Sequence, residues 1–308
     1  MLVTILAGGT GSIKLVRGFS RQGIHTSVIS NVSDNFWYNG LYVCPDLDTM
    51  IYGLSDVLDR ERGWGIQGDT FNALRQMRLL NQDSWFRLGD RDLVTHLIRT
   101  SLLRKGKSIT FVTNYLRDKF GIKSKIIPAT NSHVETRMKT NAGNLHIQEF
   151  WVKYKGRLEI KKIWYEGIKK AKANKLALRS INKADIVVFA PGNPISSIGP
   201  ILAINEVRNT LRNNRKKSIA VSPLVGNTAI SGPAKNYMKV SGIEISVAGL
   251  VSIYKDVISR IVIGKSDLNY QRKISNMDVK PYLSNILMRT KTEEDRLAKR
   301  ILKIMEKN

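Results

Sequence analysis

Cysteine and long apolar runs are scarce in this sequence of 308 residues. The single cysteine, Cys44, excludes an intramolecular disulfide and any zinc site built from several cysteines. No apolar run reaches the length that a membrane-spanning helix needs, and Met1 leads into strand-like sequence without the charged and apolar segments of a signal peptide. We therefore expect a cytoplasmic protein that does not associate with a membrane.

Several catalytic motifs are also missing from the chain. It contains no GxSxG, HExxH or CxxC sequence, and no set of motifs typical of protein kinases. Their absence argues against the chemistry that each of them serves and leaves group transfer to or from a phosphate as the reaction type to consider.

Acidic residues are few relative to basic ones, with 25 Asp and Glu against 50 Lys and Arg and a formal net charge of +25. Such a charge makes nucleic acid a partner to consider. However, the basic residues are spread over helix surfaces, with dense patches at 153–179, 208–217 and 289–307, and no known nucleic-acid-binding signature is present. We expect no nucleic-acid partner; a lysine-rich proteome or attraction for anionic substrates explains the charge better.

A glycine-rich turn follows the first apolar segment of the chain. Residues 2–7 predict a buried strand, and GGTG at 8–11 joins it to a helix that begins near Lys14. Glycines let backbone N–H groups approach an anion at the positive end of a helix, but tight strand-to-helix turns also use glycine for steric reasons. The turn alone leaves both interpretations open.

Two further loops follow apolar strands in the second half of the chain. Residues 191–200 (PGNPISSIGP) come after a strand at 184–190, and residues 223–233 after a strand at 218–222. In a parallel sheet these loops converge on one crevice, which predicts a nucleotide or phosphate site. Its candidate ligands are Gly8, Gly9, Thr10, Gly11, Lys14, Asn193, Ser196, Ser197 and Asn227.

Two carboxylates stand at the start of a predicted helix, in PDLDT at 45–49. One of them is expected there as a helix cap. A second carboxylate two residues away suits Mg²⁺, because hard oxygen ligands neutralise phosphate charge when they converge. Asp46 and Asp48 are therefore candidate catalytic residues and tentative metal ligands.

The complete pattern predicts an α/β fold with a Rossmann-like, doubly wound, mostly parallel sheet. We expect residues 1–60 and 175–308 to form the nucleotide-binding core. Residues 61–174 then form an inserted helical plus antiparallel-β subdomain that covers the crevice, with alternating strands near 134–138, 145–152 and 158–164. Residues 243–248 read as a further strand of the sheet.

Six motifs, in their order along nearly the whole chain, resemble those of a known protein family. The motifs are GGTG, PDLDT, GWGIQGDTF, LGDRD, GNPISSIGP and SPLVGNTAISGPA, and ILMRTKTE and IQEFWV fit as well. In these features the sequence resembles the 2-phospho-L-lactate transferases of coenzyme F-420 biosynthesis. More distantly it is similar to the YvcK-like gluconeogenesis factors, which share the opening glycines and some of the nucleotide-site loops.

The resemblance implies that a guanosine diphosphate-linked donor passes a phospholactyl or phosphoenolpyruvyl group to 7,8-didemethyl-8-hydroxy-5-deazariboflavin, with Mg²⁺ assistance and release of GMP. By motif match, Asp48 and Arg87 contact the deazaflavin, and Trp37 and Trp64 are candidates to stack on it. Asp48 is also a candidate to orient or deprotonate the attacking hydroxyl, or to share the metal with Asp46. The resemblance further implies a homodimer. The alternative is a YvcK-like nucleotide-binding regulatory protein without turnover.

Overall fold

The structure, a computed structural model, describes residues 1–226, 228–229 and 233–306. The strands are β1 (Leu2–Ala7), β2 (His25–Ser30), β3 (Phe36–Tyr38), β4 (Leu41–Val43), β5 (Lys125–Pro128), β6 (Glu135–Thr140), β7 (Gly143–His146), β8 (Ile160–Glu166), β9 (Ile186–Phe189), β10 (Ser218–Val221), β11 (Leu224–Val225), β12 (Thr228–Ala229), β13 (Arg260–Ile263) and β14 (Lys280–Leu283). The α-helices are α1 (Gly9–Ser20), α2 (Pro45–Leu54), α3 (Asn72–Leu79), α4 (Asp90–Arg104), α5 (Ile109–Lys119), α6 (Lys175–Lys183), α7 (Ile198–Ala203), α8 (Asn205–Asn213), α9 (Ala234–Val240), α10 (Val247–Tyr254), α11 (Gln271–Ser275) and α12 (Lys291–Glu306).

The central sheet has seven parallel strands within the described residues, in the order β14-β13-β10-β9-β1-β2-β5. The chain builds outward from β1 in one direction through β2 and β5, and then in the other direction from β9 to β14. This is the Rossmann strand order with one strand added, and it places the switch point between β1 and β9. The predicted doubly wound α/β fold is confirmed.

Each face of the sheet supports its own apolar core, because successive side chains of a strand point to opposite faces. Val3 and Ile5 of β1 pack in one core with apolar residues of α1, α2, α5 and α12, whereas Leu6 packs in the other with residues of α6, α8 and α10. Strands covered by helices on both faces are apolar throughout, as the burial of all four residues of β9 illustrates.

The predicted antiparallel meander is present as a three-stranded sheet in the order β7-β6-β8. Two contacts attach it to loops at the carboxyl ends of the central strands. The hydroxyls of Thr136 in β6 and Ser33, after β2, lie 2.8 Å apart. The Tyr165 hydroxyl of β8 donates to the carbonyl of Ile195 in the loop after β9. The small sheet is thus fixed beside the switch point.

Some local predictions differ from the structure. The strand predicted at 243–248 is wrong, because Ser246 caps a helix there: its hydroxyl accepts from the Gly249 N–H at 3.0 Å, and α10 follows. The strand predicted at 145–152 ends at His146, and residues Glu149–Lys153 form a short π-helix. The predicted 61–174 subdomain boundary stays a prediction; β5, inside that range, pairs with β2 in the central sheet. In the part of the chain that the structure describes, no helix has the length and apolarity to cross a membrane.

Candidate active site

A cavity of about 430 Å³ opens at the switch point, between the loops that follow β1 and β9, and residues that follow β7 also line it. A volume of this size accommodates a small-molecule substrate. Eleven of the residues predicted from the sequence line it, namely Gly8, Gly9, Thr10, Gly11, Asp46, Asp48, Trp64, Arg87, Asn193, Ser196 and Ser197.

The glycine loop after β1 is packed too closely for a side chain at position 8. A Cβ atom on Gly8 would lie 2.7 Å from Oδ2 of Asp46 and 2.8 Å from Cβ of Ser197. Gly9 has a φ of +69°, in the region that favours glycine, and α1 begins there. The steric requirement for glycine is therefore direct at both positions. The same geometry places the positive end of α1 at the cavity, where an anion is favoured.

The loop after β9 is held in shape by its own side chain. Oδ1 of Asn193 accepts hydrogen bonds from the backbone N–H groups of Ile195 at 2.9 Å and Ser196 at 3.2 Å. Ser196 and Ser197 line the cavity and are each 7% exposed. Asn193 therefore shapes the loop, while the two serines face the site.

Asp46 is paired with a carboxylate that sequence reasoning did not single out, Asp34 in the turn after β2. The Asn31 amide donates to Oδ1 of Asp34 at 3.1 Å and to Oδ2 of Asp46 at 2.9 Å, which joins the two acids. Burial, and then the charge of Asp46, raises the pKa of Asp34 well above its usual value, and burial raises the pKa of Asp46 to about 6. Both side chains line the cavity.

Asp48 has a different partner although it lies only two residues beyond Asp46 in α2. The Arg99 guanidinium donates to its Oδ2 at 3.0 Å and also to its Oδ1. Arg99 is 1% exposed; although burial lowers its pKa, the charge of Asp48 and other nearby groups raise it more, so the pKa lies above its usual range. The guanidinium charge thus balances the charge of the carboxylate, and the two hydrogen bonds hold it in one orientation.

An aromatic and cationic rim borders the cavity. Arg87 lies over the rings of Trp64 and Phe71, with its guanidinium carbon 5.7 Å and 5.0 Å from the two ring centroids. Trp151, which sequence reasoning did not propose, also lines the cavity and is 44% exposed. Flat, partly exposed rings beside a guanidinium suit a planar ligand.

Two of the predicted residues that the structure describes do not line this cavity. Trp37, in β3, is 53% exposed, packs on Tyr42 with ring centroids 5.1 Å apart, and lines a separate cavity of about 250 Å³. Lys14 lies on α1 and is not a lining residue. The prediction for Asn227 falls outside the described residues.

Whether the site suits a divalent cation depends on its free carboxylates. Among the described residues there is no group of three or more His, Cys, Asp or Glu side chains arranged for a metal. Asp34 and Asp46 nevertheless provide hard oxygen ligands that line the cavity. Mg²⁺ is commonly held by one or two carboxylates together with substrate phosphates, so the pair fits this ion.

The polar face of α4 was not predicted. Two of its apolar residues, Val94 and Leu97, are each 51% exposed. The buried face carries Asp92, His96 and Arg99 instead. Their spacing of four and three residues places them on one side of a helix. This spacing of polar residues is the sequence feature from which the polar face could have been predicted.

A Rossmann-order sheet whose switch-point cavity combines glycine loops, helix N-termini and carboxylates is typical of α/β proteins that bind nucleotides or phosphates. The sequence profile of the family described as 2-phospho-L-lactate transferase CofD matches residues 3–307. The chain belongs to the 2-phospho-L-lactate transferase family, and it is a transferase.

Relatives with this name are similar over nearly the full length. The 2-phospho-L-lactate transferases of Methanococcoides burtonii and Methanocaldococcus jannaschii are 35% and 36% identical to the chain, over 97% and 98% of it and 98% and 97% of their own lengths. Two crystal structures of a UPF0052-family protein from Bacillus halodurans share the fold, with TM-scores of 0.65 and 0.68 at 14% and 15% identity; they cover 98% and 97% of this chain and 99% and 98% of their own.

Proposed function

We propose that this transferase moves a 2-phospholactyl or phosphoenolpyruvyl group from a guanosine diphosphate-linked donor to 7,8-didemethyl-8-hydroxy-5-deazariboflavin, in coenzyme F-420 biosynthesis. The terminal ribityl oxygen forms a bond to the phosphorus that carries the acid. The bond from that phosphorus to the bridging oxygen breaks, GMP leaves, and the proton of the attacking hydroxyl passes to the solvent. The product is a phosphodiester.

One observation carries the proposal: residues suited to the donor and residues suited to the acceptor line the same cavity. Phosphoryl transfer depends mainly on holding the nucleophile, phosphorus and leaving oxygen in line while positive groups absorb the developing charge. A single cavity with two chemically different walls meets that requirement.

The donor's diphosphate is assigned to the wall made by the glycine loop and the loop after β9. The N-terminus of α1 and the hydroxyls of Ser196 and Ser197 supply hydrogen-bond donors there. The close packing of Gly8 against Asp46 and Ser197 keeps the two loops at a fixed separation.

The acceptor is assigned to the aromatic and cationic rim of the same cavity. Trp64 and Trp151 offer flat surfaces for the deazaflavin ring, and Arg87 lies beside Trp64. Asp48 provides an acceptor for a ribityl hydroxyl. Its pairing with Arg99 favours this orienting role.

Asp34 and Asp46 would hold Mg²⁺, which supplies positive charge to the phosphates when it is bound. The sequence suggested Asp46 with Asp48, but Asp48 already accepts from Arg99 through both oxygens. Asp34 is therefore the better partner for Asp46. Catalytic roles for Asp46 and Asp48 remain part of this proposal.

The remaining expectations also belong to the proposal: a homodimer in the cytoplasm, with no nucleic-acid or membrane partner. The regulatory protein without turnover, which the sequence left open, is not supported, because the chain belongs to a transferase family. The aromatic and cationic rim also favours the transferase, because a protein that only senses a nucleotide does not need a surface for a second substrate.

The test is incubation of the purified protein with the deazaflavin, Mg²⁺ and, in separate reactions, donors that carry lactate, enolpyruvate or glycerate. Mass spectrometry should detect GMP and the matching phosphodiester with at least one donor. Binding of GMP without product from any of these donors would overturn the proposed donor and acceptor.

A further inference from the structure

We propose that His96 and Arg99 are positioning residues that fix the orientation of Asp48 toward the acceptor hydroxyl. The inference rests on the acceptor role proposed for Asp48. Neither residue is expected to touch the reacting atoms.

The first link is the ion pair between Arg99 and Asp48, which joins α4 to the first turn of α2. Two guanidinium nitrogens of Arg99 donate to the two oxygens of Asp48. A fork of two parallel hydrogen bonds fixes both the position and the plane of a carboxylate. Lysine, with a single ammonium group, cannot fix the plane in this way.

The second link is His96, one turn before Arg99 in α4. Nη1 of Arg99 lies 2.8 Å from Nδ1 of His96. Because a guanidinium can only donate, Nδ1 is the acceptor, and the proton of the neutral imidazole resides on Nε2. Through Nδ1, His96 holds Arg99 in place.

The third link fixes the ring of His96. Its Nε2 lies 3.2 Å from Oδ1 of Asp92 without forming a hydrogen bond, so the contact is electrostatic. The same oxygen accepts from the Tyr52 hydroxyl at 2.7 Å. Tyr52 lies one turn after Asp48 in α2, so the chain of contacts returns to the helix where it began.

This closed circuit between two helices is buried, with Arg99, His96 and Tyr52 each 1% exposed. A change at His96 should therefore reach the acceptor through Arg99 and Asp48, and it should leave the donor wall unaffected because no residue of the circuit belongs to the loops after β1 and β9.

Two substitutions of His96 separate the links. His96→Asn places a carbonyl oxygen where Nδ1 stands and keeps an acceptor for Arg99. His96→Gln extends toward Asp92 and removes that acceptor. Both remove the ring, so they are matched for its loss. We expect His96→Asn to retain most of the transfer rate and His96→Gln to lower kcat about 10²-fold, the effect of a misplacement near 1 Å.

The donor KM should stay at the wild-type value in both variants, and Arg99→Lys should lower kcat as His96→Gln does. Equal activity of the two His96 variants, or a wild-type rate for Arg99→Lys, would overturn the positioning role. If the wild-type protein itself transfers nothing, the proposed function has failed rather than this circuit.

A measurement without substrate tests the circuit separately. ¹⁵N NMR of the wild-type protein, with the His96 signals assigned by their loss in His96→Asn, should show the neutral Nε2–H tautomer. The Nδ1–H tautomer would contradict the arrangement, because it leaves two donors facing each other between His96 and Arg99.

Discussion

At the scale of single residues, two aspartates of one helical turn differ in what surrounds them. Asp48 is neutralised by the buried Arg99, whereas Asp46 faces the carboxylate of Asp34. The PDLDT motif identifies both residues as candidate site residues. It cannot show that their surroundings differ, since their partners lie at distant positions in the sequence. The difference leads to opposite expectations for stability.

Asp48→Asn should destabilise the protein by about 3 kcal/mol, because removing one partner of a buried pair leaves the other charge uncompensated. Asp46→Asn is the control, because its amide removes a charge that burial disfavours, and its stability should equal or exceed that of the wild type. Urea unfolding of both variants measures the difference. If both variants lost the same free energy of unfolding, the ion pair with Arg99 would not be the reason that Asp48→Asn is destabilised.

At the scale of elements, the sequence predicts the position of the glycine loop but not its function. Strand β1 and helix α1 are evident from the apolar pattern, while the steric need for Gly8 depends on Asp46 and Ser197. Such contacts depend on loop geometry that no local pattern specifies. Helix α4 shows the same limit, because its buried residues Asp92, His96 and Arg99 are polar.

Gly8→Ala should weaken donor binding, since the new methyl group would force Asp46 or Ser197 to move. Gly23→Ala is a control for general strain: Gly23 has a φ of +69° but no atom within 4 Å of an added Cβ. Calorimetric titration with GMP should show weaker binding for Gly8→Ala and unchanged binding for Gly23→Ala. Wild-type affinity in Gly8→Ala would remove the loop from the donor site.

At the scale of the whole molecule, the fold was predictable because apolar strands alternate with helices in a way that few architectures accommodate. The convergence of the loops after β1 and β9 follows from that order. The pairing of Asp34 with Asp46, the polar face of α4 and the position of Trp151 required the tertiary structure, because each depends on contacts between distant segments.

Stability should also depend on pH through His146, which stacks on Phe36 with ring centroids 5.2 Å apart. Burial, and then the charge of Arg137 and the proximity of His133, lowers the pKa of His146 to about 4. Between pH 6.5 and 4 the unfolded chain binds a proton that the folded protein does not, so this residue should cost up to ~3 kcal/mol of stability as the pH falls.

Melting temperatures at pH 7.5 and 5 provide the check. The decrease between the two pH values should be smaller in His146→Gln than in the wild type, and unchanged in the exposed control His25→Gln. An identical decrease in melting temperature in all three proteins would show that His146 does not contribute to the pH dependence of stability.

The most direct test of the central claim, that one cavity couples both substrates for transfer, is ³¹P NMR of the complete reaction with the donor, the deazaflavin and Mg²⁺. The diphosphate signals should disappear while one phosphodiester and one GMP signal appear in equal amounts. GMP formation with free phospho-acid in place of the phosphodiester would instead indicate hydrolysis, and it would contradict the claim.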